Sequence, residues 1–510
     1  MAHPIFPKSS RSIYSVGASI LAAALFAFAP AADAQEQQAE TASENEMAET
    51  AGDNAAANTG AQADSSANAP AEASGDARNK GGNNLPPAFQ FGSYGRVQIG
   101  SDLQGRTGRQ TNIASRGPRL IEPSYQELWF KYRMVDPKGE AGTTASVVAT
   151  LALDEKAFHY TGDFDVGMAL RNMYLQVDDL FVKNLSLWAG SRMYRGDDIY
   201  LLDYWPLDNL NTLGGGLSFK VEKLQVDAHV GVNRLDNDYQ LQIISSPSID
   251  GVGAVEDEAL DRQRTIVSLR LTYPILGNGL ARLYAEHHNL PSGQREEQDS
   301  GATYALPSDM GWVVGAQLKG WTDSNALHGS LWVKFGEGLG AYGDMVTPFG
   351  LNTDRKTSGA KLFTAAFSGA YEHERFAVPL AAYVSVFRDA TKLENNVRDY
   401  EEFVANIRPT VYILKQFHIA LDLSYQLKTP HAFSFDNETP RRAQVFQVGL
   451  MPSFTPFGEG WLGRPVIRII YALRAMNADA RAMIYGQADE RFDRKIAHFL
   501  GLSAEWWFNN

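Results

Sequence analysis

The 510-residue chain contains no cysteine. This absence excludes a disulfide scaffold and thiolate metal sites, so stability must come from packing and backbone pairing. Long apolar runs are lacking as well. No segment after the N-terminal region approaches the roughly 18 consecutive apolar residues that a membrane-spanning helix needs. The sequence therefore disfavours a helical membrane protein.

Positive charge is also scarce, with 46 lysines and arginines against 59 acidic residues and a formal net charge of -13. Nucleic-acid binding depends on clustered Lys and Arg that neutralise phosphates, so nucleic acid is not an expected partner, and the charge does not suggest a polyanionic substrate. Much of the acidic excess lies in residues 35–84, where nine acidic side chains accompany only Arg78 and Lys80. The rest of the chain is closer to neutral.

Catalytic signatures are missing too. The runs Glu286-His287-His288 and Glu372-His373-Glu374 lack metal-ligand spacing, and the chain has no G-x-S-x-G motif. Residues 338–343 match G-x-G-x-x-G, but no amphipathic helix follows whose N-terminus could hold a pyrophosphate, which indicates a glycine-rich loop. The sequence thus predicts no enzyme, no cofactor and no metal site.

The first 34 residues have the three parts of a secretory signal peptide: the basic Lys8 and Arg11, an apolar stretch over residues 20–29, and the small-residue pattern Ala32-Asp33-Ala34. Residues 35–87 are rich in Ala, Gln, Asn, Ser and Gly and cannot bury enough apolar surface to fold alone. We expect them to form a disordered periplasmic extension. An alternative is a short helix that associates with copies from neighbouring subunits, although no heptad of large apolar residues supports it.

From residue 88 to residue 510 the dominant period is two. Residues 217–233 form a predicted hairpin, with a turn at Glu222-Lys223, in which apolar and polar side chains alternate. Strands of about 9 to 11 residues match a tilted bilayer crossing, and at roughly 23 residues per strand and loop the segment can supply about 16 to 18 of them. The sequence therefore predicts an all-β transmembrane antiparallel β-barrel. A secreted β-sandwich or β-helix would also alternate, but the polar second face and the absence of short sandwich spacing favour the barrel.

A strand that runs into a loop crowded with aromatics, arginines and carboxylates is the most informative segment. It reads Trp188-Ala-Gly-Ser-Arg192-Met-Tyr194-Arg195-Gly-Asp-Asp198-Ile-Tyr-Leu-Leu-Asp203-Tyr204-Trp205. This run resembles the maltoporin family of sugar-specific outer-membrane porins. The runs Phe91-Gly-Ser-Tyr94-Gly-Arg96 and Pro123-Ser-Tyr125-Gln-Glu127-Leu128 look like the first and second strands of that family. The resemblance implies about 18 strands and a third loop that folds into the barrel and forms its constriction.

The resemblance also implies which side chains line the sugar path. The expected polar-track or constriction residues are Tyr94, Arg96, Tyr125, Glu127, Arg171 and Asp203. Trp205 stands where the family has a constricting tyrosine, and Arg192 and Asp198 are further constriction candidates. Gly196 occupies a position that the family fills with arginine, for which the adjacent Arg195 could substitute.

Several of these residues have a structural alternative. Arg171 could pair with a lumen carboxylate to hold the barrel wall. Asp198 and Asp203 could order the loop or bind calcium, although the sequence has no calcium-loop spacing. The family also carries a slide tryptophan from the neighbouring subunit, and here only Tyr160 or Phe164 could take its place.

The last strand has two distinguishable faces. Its apolar face consists of Leu502, Ala504, Trp506 and Phe508, and its other face of Ser503, Glu505 and Trp507. Because Trp507 shares a face with a glutamate, we predict that it points inward. The resemblance implies that it is a slide aromatic near the periplasmic exit. Trp506 and Phe508 fit an aromatic girdle at the lipid interface.

Pyranose rings have apolar faces and a belt of hydroxyls, so a path for sugars needs aromatic faces beside charged hydrogen-bonding groups. The resemblance implies a homotrimer in outer-membrane lipid, with its extension in the periplasm. It would facilitate gradient-driven diffusion of oligosaccharides, such as maltodextrins or sucrose, along an aromatic slide and a polar track. The alternatives are a general porin that selects by size and a carbohydrate-binding or carbohydrate-cleaving surface protein, which would need two carboxylates about 5 to 10 Å apart.

Overall fold

The computed structural model describes residues 88–509 except for residues 136–141, 159, 161, 163–166, 236–238, 241, 248–253, 260–261, 276, 297–302, 323–325, 393–395, 397, 432–440, 459 and 486–488. The predicted signal peptide, residues 1–34, and the predicted extension, residues 35–87, lie outside the described residues. In the described part, no helix has the length and apolarity needed to cross a membrane.

Twenty-three strands follow one another along the described chain. They are β1 (Phe89–Ser101), β2 (Tyr125–Val135), β3 (Thr144–Leu153), β4 (Met168–Asp178), β5 (Leu185–Arg195), β6 (Asn209–Val221), β7 (Leu224–Asn233), β8 (Gln242–Pro247), β9 (Ala254–Ala259), β10 (Arg264–Ile275), β11 (Gly279–Leu290), β12 (Gly293–Glu296), β13 (Thr303–Leu306), β14 (Asp309–Trp321), β15 (Leu327–Gly338), β16 (Lys361–His373), β17 (Phe376–Arg388), β18 (Tyr400–Ile407), β19 (Thr410–Tyr412), β20 (Phe417–Pro430), β21 (Ala443–Phe454), β22 (Val466–Met476) and β23 (Ile496–Asn509). Two separate hairpins, β8 with β9 and β12 with β13, stand outside the main sheet. Short helices occupy Leu339–Tyr342 and Ala478–Ile484.

The main sheet closes on itself. Its strands pair antiparallel with their sequence neighbours, and β1 pairs with β23 from Gly92↔Asn509 to Ser101↔Leu500. β18 and β19 are two parts of one wall strand, because both pair with β17 on one side and β20 on the other. Pro409 lies between them and has no backbone N–H to donate, which interrupts the ladder. The wall is therefore a closed antiparallel barrel of 18 strands, as predicted.

The two faces of the wall differ in polarity. On β1, Tyr94 and Arg96 are 1% and 4% exposed, whereas Val97 and Ile99 on the opposite face are 38% and 65% exposed. The predicted hairpin is β6 and β7, and its two-residue turn contains Glu222 at φ 52°, the left-handed conformation that such tight hairpin turns use. Alternation thus sends one set of side chains into the lumen and the other outward.

Long connections alternate with short turns around the barrel. Residues 222–223 and 374–375 are short turns, whereas residues 102–124 and 196–208 are long connections. Both of these long connections fold into the barrel interior, and we call them the first inward loop (residues 102–124) and the second inward loop (residues 196–208). The second is the loop that was predicted to fold inward.

Candidate functional site

Apolar side chains hold the second inward loop inside the barrel. Ile199, Leu201, Leu202 and Leu207 are each at most 1% exposed. They belong to one cluster with inner-wall side chains, among them Tyr284, Trp332, Ala366, Ala381, Tyr383 and Val404. Fully burying a leucine or isoleucine side chain is worth about 1.5 to 3 kcal/mol. The loop, which contains a 3-10 turn at Tyr200–Leu202, is therefore a fixed part of the interior.

Charged contacts fix the start of the same loop. Asp197 accepts a hydrogen bond from Gln317 at 2.8 Å, and its carboxylate lies 3.3 Å from Arg282 and 3.4 Å from Lys319. Burial alone would raise the pKa of the Asp197 carboxyl, but Lys319 and Arg282 hold that pKa below its ordinary value. An ionised Asp197 thus ties the loop to β11 and β14.

The first inward loop reaches strands that are distant in sequence. Ile113 donates its backbone N–H to Gln426 at 3.1 Å, and Ser115 donates its hydroxyl to Glu402 at 3.0 Å. Arg119 donates its backbone N–H to the carbonyl of Leu201 at 2.8 Å. This last bond joins the two inward loops, so side chains from both line the same part of the lumen.

A buried carboxylate lies where the two loops meet the wall. Glu505 is 3% exposed. Its ion pairs are with Arg464 at 2.7 Å, Arg468 at 2.9 Å and Arg119 at 3.2 Å. The Tyr200 hydroxyl also donates to Glu505, at 3.1 Å. We call these five residues the Glu505 cluster. One carboxylate shared by three guanidinium groups leaves positive charge in excess.

Two of the predicted track residues adjoin this cluster. The Tyr94 hydroxyl donates to Glu505 at 3.3 Å. Arg96 lies 2.8 Å from Glu122, which also pairs with Arg119 at 2.8 Å. Tyr94 and Arg96 therefore lie on the lumen face, in contact with side chains of the first inward loop.

Three further predicted track residues contact one another. Tyr125 donates its hydroxyl to Glu127 at 2.6 Å, and Arg171 donates to both side chains. Glu127 is 1% exposed. The guanidinium of Arg96 lies 5.5 Å from the centre of the Tyr125 ring, which connects this triad to the Glu505 cluster. The geometry matches the alternative in which Arg171 pairs with a lumen carboxylate.

Trp507 faces the lumen beside the Glu505 cluster. The Arg464 guanidinium lies 4.2 Å from the centre of its ring, and the Tyr200 ring meets it edge-on at 6.1 Å. Trp461 in turn contacts Tyr200 edge-on at 5.7 Å. Phe508, on the opposite face of β23, is 50% exposed. Three aromatic rings therefore lie beside the arginines of the Glu505 cluster. Trp507 was predicted as a site residue, and Tyr200 and Trp461 were not.

Trp205 and Arg195 contact each other rather than the Glu505 cluster. The Arg195 guanidinium lies 4.4 Å from the centre of the Trp205 ring, and Trp205 is only 8% exposed. Gly196 has no space for a side chain, because a Cβ there would lie 1.9 Å from an oxygen of the Asp208 carboxylate. The arginine that the family resemblance would place at this position therefore cannot fit without moving Asp208.

The two aspartates of the second inward loop are covered to different degrees. Asp198 is half-buried. Asp203 is 8% exposed and ends the 3-10 turn with a left-handed φ of 49°. Burial raises the pKa of the Asp203 carboxyl above its ordinary value, although Arg119 opposes the shift. Asp203 therefore lies buried where the 3-10 turn ends.

Arg192 lies in another group of side chains on the inner wall. Trp188, Tyr194 and His229 form a stack with ring centres 5.0, 5.7 and 6.0 Å apart. The Arg192 guanidinium lies 5.1 Å from the centre of the Trp188 ring and 4.7 Å from that of Tyr174. Because Trp188 and Tyr194 are at most 7% exposed, these rings form packed wall.

Sequence reasoning missed half of the site. The missed side chains are Arg119, Glu122, Tyr200, Trp461, Arg464 and Arg468. A signal existed for Arg468, which alternates with the outward Ile467 and Ile469 along β22. No local pattern could have identified Arg119, which lies 386 residues from Glu505 along the chain. Tyr200 belongs to the run singled out in the sequence, but its contact with Glu505, 305 residues away, has no local signal.

A small polar cavity lies between these side chains. It is lined by Arg96, Gln98, Arg119, Leu120, Glu122, Tyr200, Arg408, Met451, Arg468, Ile470, Ser503 and Glu505. Its volume of about 20 Å³ has room for roughly one water molecule. Within the described residues, no group of three or more histidine or acidic side chains could hold a metal ion.

Comparisons with known proteins match this chain over most of its length. The family model described as LamB porin matches residues 89–508. Among solved structures, the chain is similar to Pseudomonas aeruginosa OpdK with vanillate, at 10% identity and a TM-score of 0.42, covering 83% of this chain and 98% of that one. It is also similar to Pseudomonas aeruginosa OccK2 (13% identity, TM-score 0.44, 82% and 97% covered) and to Vibrio cholerae OmpT (10% identity, TM-score 0.35, 83% and 99% covered). No curated protein matches the sequence.

Proposed function

Because the chain belongs to the LamB porin family and is therefore an outer-membrane channel for diffusion, we propose that the solutes it passes are oligosaccharides. Maltodextrin-like or sucrose-like sugars would move down their concentration gradient along aromatic and polar side chains. The family and the fold are those of channels rather than enzymes.

The contact between Trp507 and Arg464 is the observation that carries this proposal. A guanidinium 4.2 Å from an indole ring puts a hydrogen-bond donor directly beside an aromatic face. Sugars need both, because the C–H face of a pyranose stacks on an aromatic ring while its hydroxyls exchange hydrogen bonds with charged groups. Tyr200 and Trp461 extend the aromatic surface, and Tyr94 and Arg96 extend the polar one.

A general size-selective porin is the weaker candidate. A size filter needs charged groups at a constriction but no stacking surface. Conduction of a specific solute requires several weak sites in series, since one tight site would trap it. The row of Trp507, Tyr200 and Trp461 beside the arginines of the Glu505 cluster fits such a series.

Single-channel conductance of the reconstituted protein tests the proposal, with maltodextrins, sucrose and unrelated sugars added in turn. We expect saturable block by one sugar series. Replacement of Trp507 by alanine should weaken block about 2- to 10-fold, because aromatic stacking is worth about 0.5 to 1.5 kcal/mol. Phe508→Ala, a change on the outer face of the same strand, is the matched control and should leave block unchanged. Conductance that no sugar alters would refute the proposal.

The proposal includes a homotrimer embedded in outer-membrane lipid. Tyr160, 67% exposed in the connection after β3, is our candidate for the aromatic that one subunit offers to the channel of the next; Phe164, the other candidate, lies outside the described residues. The mass of the detergent-solubilised protein tests the trimer. A monomeric mass in mild detergent would contradict it without affecting the sugar path within one barrel.

A further inference from the structure

The polar cavity beside Glu505 carries an excess of positive charge. Six arginines and four carboxylates line or adjoin it. The arginines are Arg96, Arg116, Arg119, Arg408, Arg464 and Arg468, and the carboxylates are Glu122, Asp203, Asp422 and Glu505. Two positive charges therefore have no matching negative charge.

The excess is concentrated at Glu505. Arg408 has its own carboxylate, since it lies 2.8 Å from the fully buried Asp422. Arg464 and Arg468 have Glu505 as their shared carboxylate, at 2.7 and 2.9 Å. The Arg468 side chain is 16% exposed and lines the cavity, so part of this positive charge is accessible from the lumen.

Arg119 has unused hydrogen-bonding capacity at the same place. Its Nε pairs with Glu122 and its Nη2 with Glu505, but among the described residues its buried Nη1 has no hydrogen-bond partner. Leaving a buried polar group unpaired costs free energy, and a charged group costs more. An acceptor oxygen from a solute in the cavity would remove that cost.

We propose that the excess positive charge of the arginines around this cavity selects sugars that carry a carboxylate, such as oligomers of uronic acids. The inference rests on the proposed sugar-channel function and narrows its substrate class. Guanidinium groups bind carboxylates through two parallel hydrogen bonds. Arginines that line a pore favour anions, and a cleft lined by one sign of charge raises the local concentration of the opposite sign.

The net charge of -13 does not oppose this selection. Charges separated by more than about 10 Å at 0.1 M salt are largely screened from one another. The charge that a solute meets at the cavity is therefore determined by side chains within about that distance, such as the arginines and carboxylates around Glu505, rather than by the net charge of the whole chain.

Block of conductance by trigalacturonate and by its methyl ester tests the inference, because the two differ in charge but share the same rings. In 0.1 M KCl at pH 7, we expect the acid to block at a concentration at least fivefold below that of the ester. In 1 M KCl the ratio of the blocking concentrations of ester and acid should shrink, since the Debye length falls to about 3 Å. A KCl gradient should also give a reversal potential of the sign expected for preferred chloride permeation.

Arg468→Gln should reduce the preference for block by the acid over the ester several-fold. Arg375→Gln, in the exposed turn between β16 and β17, should leave that preference unchanged. Heat-modifiable migration in gels shows that each variant has folded, and Arg464→Gln replaces Arg468→Gln if the latter does not fold. Equal block by acid and ester, with maltodextrin block intact, would overturn this inference alone. Absence of block by every sugar would overturn the proposed function as well.

Discussion

Glu505 is a carboxylate whose described partners are arginines and tyrosine hydroxyls. It is 3% exposed, and Arg119, Arg464 and Arg468 come from a loop, a turn and a neighbouring strand. Removing one member of a buried ion cluster destabilises a protein by more than the intact cluster stabilises it, because the remaining charges stay buried without compensation. Glu505 therefore stabilises the positions of three separate chain segments.

Replacing Glu505 with glutamine should destabilise the barrel by about 3 to 5 kcal/mol, since three guanidinium groups would lose their only shared negative charge. Urea unfolding in lipid vesicles measures the change. Glu401→Gln is the control: Glu401 pairs with Arg388 at 2.5 Å, but its side chain is 49% exposed, and such pairs are worth about 0 to 1 kcal/mol. Equal effects of the two substitutions would contradict the central role of Glu505.

At the residue scale, alternation predicts orientation but not partners. The face of β23 that carries Glu505 and Trp507 follows from the period of two, and the structure has Trp507 on the lumen side. The aromatic partner of Trp507 is Tyr200, which comes from a loop 307 positions earlier in the numbering. A contact of that kind depends on how two loops fold inside a closed wall, and the sequence around either residue carries no trace of it.

At the scale of elements, the connection after β15 is tied to the neighbouring wall by one aspartate. The Asp344 carboxylate accepts the backbone N–H of Asn211 at 2.6 Å, and the Asp344 carbonyl accepts from the Asn233 side chain at 2.6 Å. Burial raises the pKa of Asp344 to about 6, although the Asn211 N–H and Arg264 oppose the shift. The connection thus has an anchor that titrates near neutral pH.

The stability contributed by neutral Asp344 should be fully present below its ordinary pKa of 3.8 and lost as the pH rises through about 6. Asp344→Asn should therefore be more stable than the parent protein at pH 8, by up to about 3 kcal/mol, and no more stable at pH 4. Urea midpoints at the two pH values measure this. Asp354→Asn, at an exposed position of the same connection, is the control. A gain at pH 4 equal to that at pH 8 would exclude titration of Asp344 as the cause.

Elements differ in how far the sequence predicts them. The hairpin of β6 and β7 was predicted with its turn, because alternation and turn chemistry are both local. The inward path of residues 196–208 followed from the family resemblance. The first inward loop was not predicted, since its anchors Gln426 and Glu402 lie on strands about 300 residues away and Ser115 gives no sign of contacting them.

At the scale of the whole molecule, closure of the barrel determines what the chain needs in order to fold. The seam is the ladder from Gly92↔Asn509 to Ser101↔Leu500, so the first and last wall strands must both be present. The count of 18 strands was predicted to within the range set by chain length. The break at Pro409 was not, although a proline between two short alternating runs is a known interruption of strand pairing.

Deleting residues 35–84 should leave the channel intact, because among the described residues the wall begins at Phe89 and its seam at Gly92. The shortened chain should show unchanged heat-modifiable migration, conductance and sugar block, since no residue of the wall strands or of the Glu505 cluster is removed. Deleting residues 499–509 instead removes most of the strand that closes the barrel and should abolish folding.

If the first deletion preserves conductance but dissociates the subunits, the helical alternative for residues 35–87 is correct and the extension acts in assembly. If it abolishes conductance, the barrel depends on a segment that its strand pairing does not require, and the boundary at residue 88 is wrong.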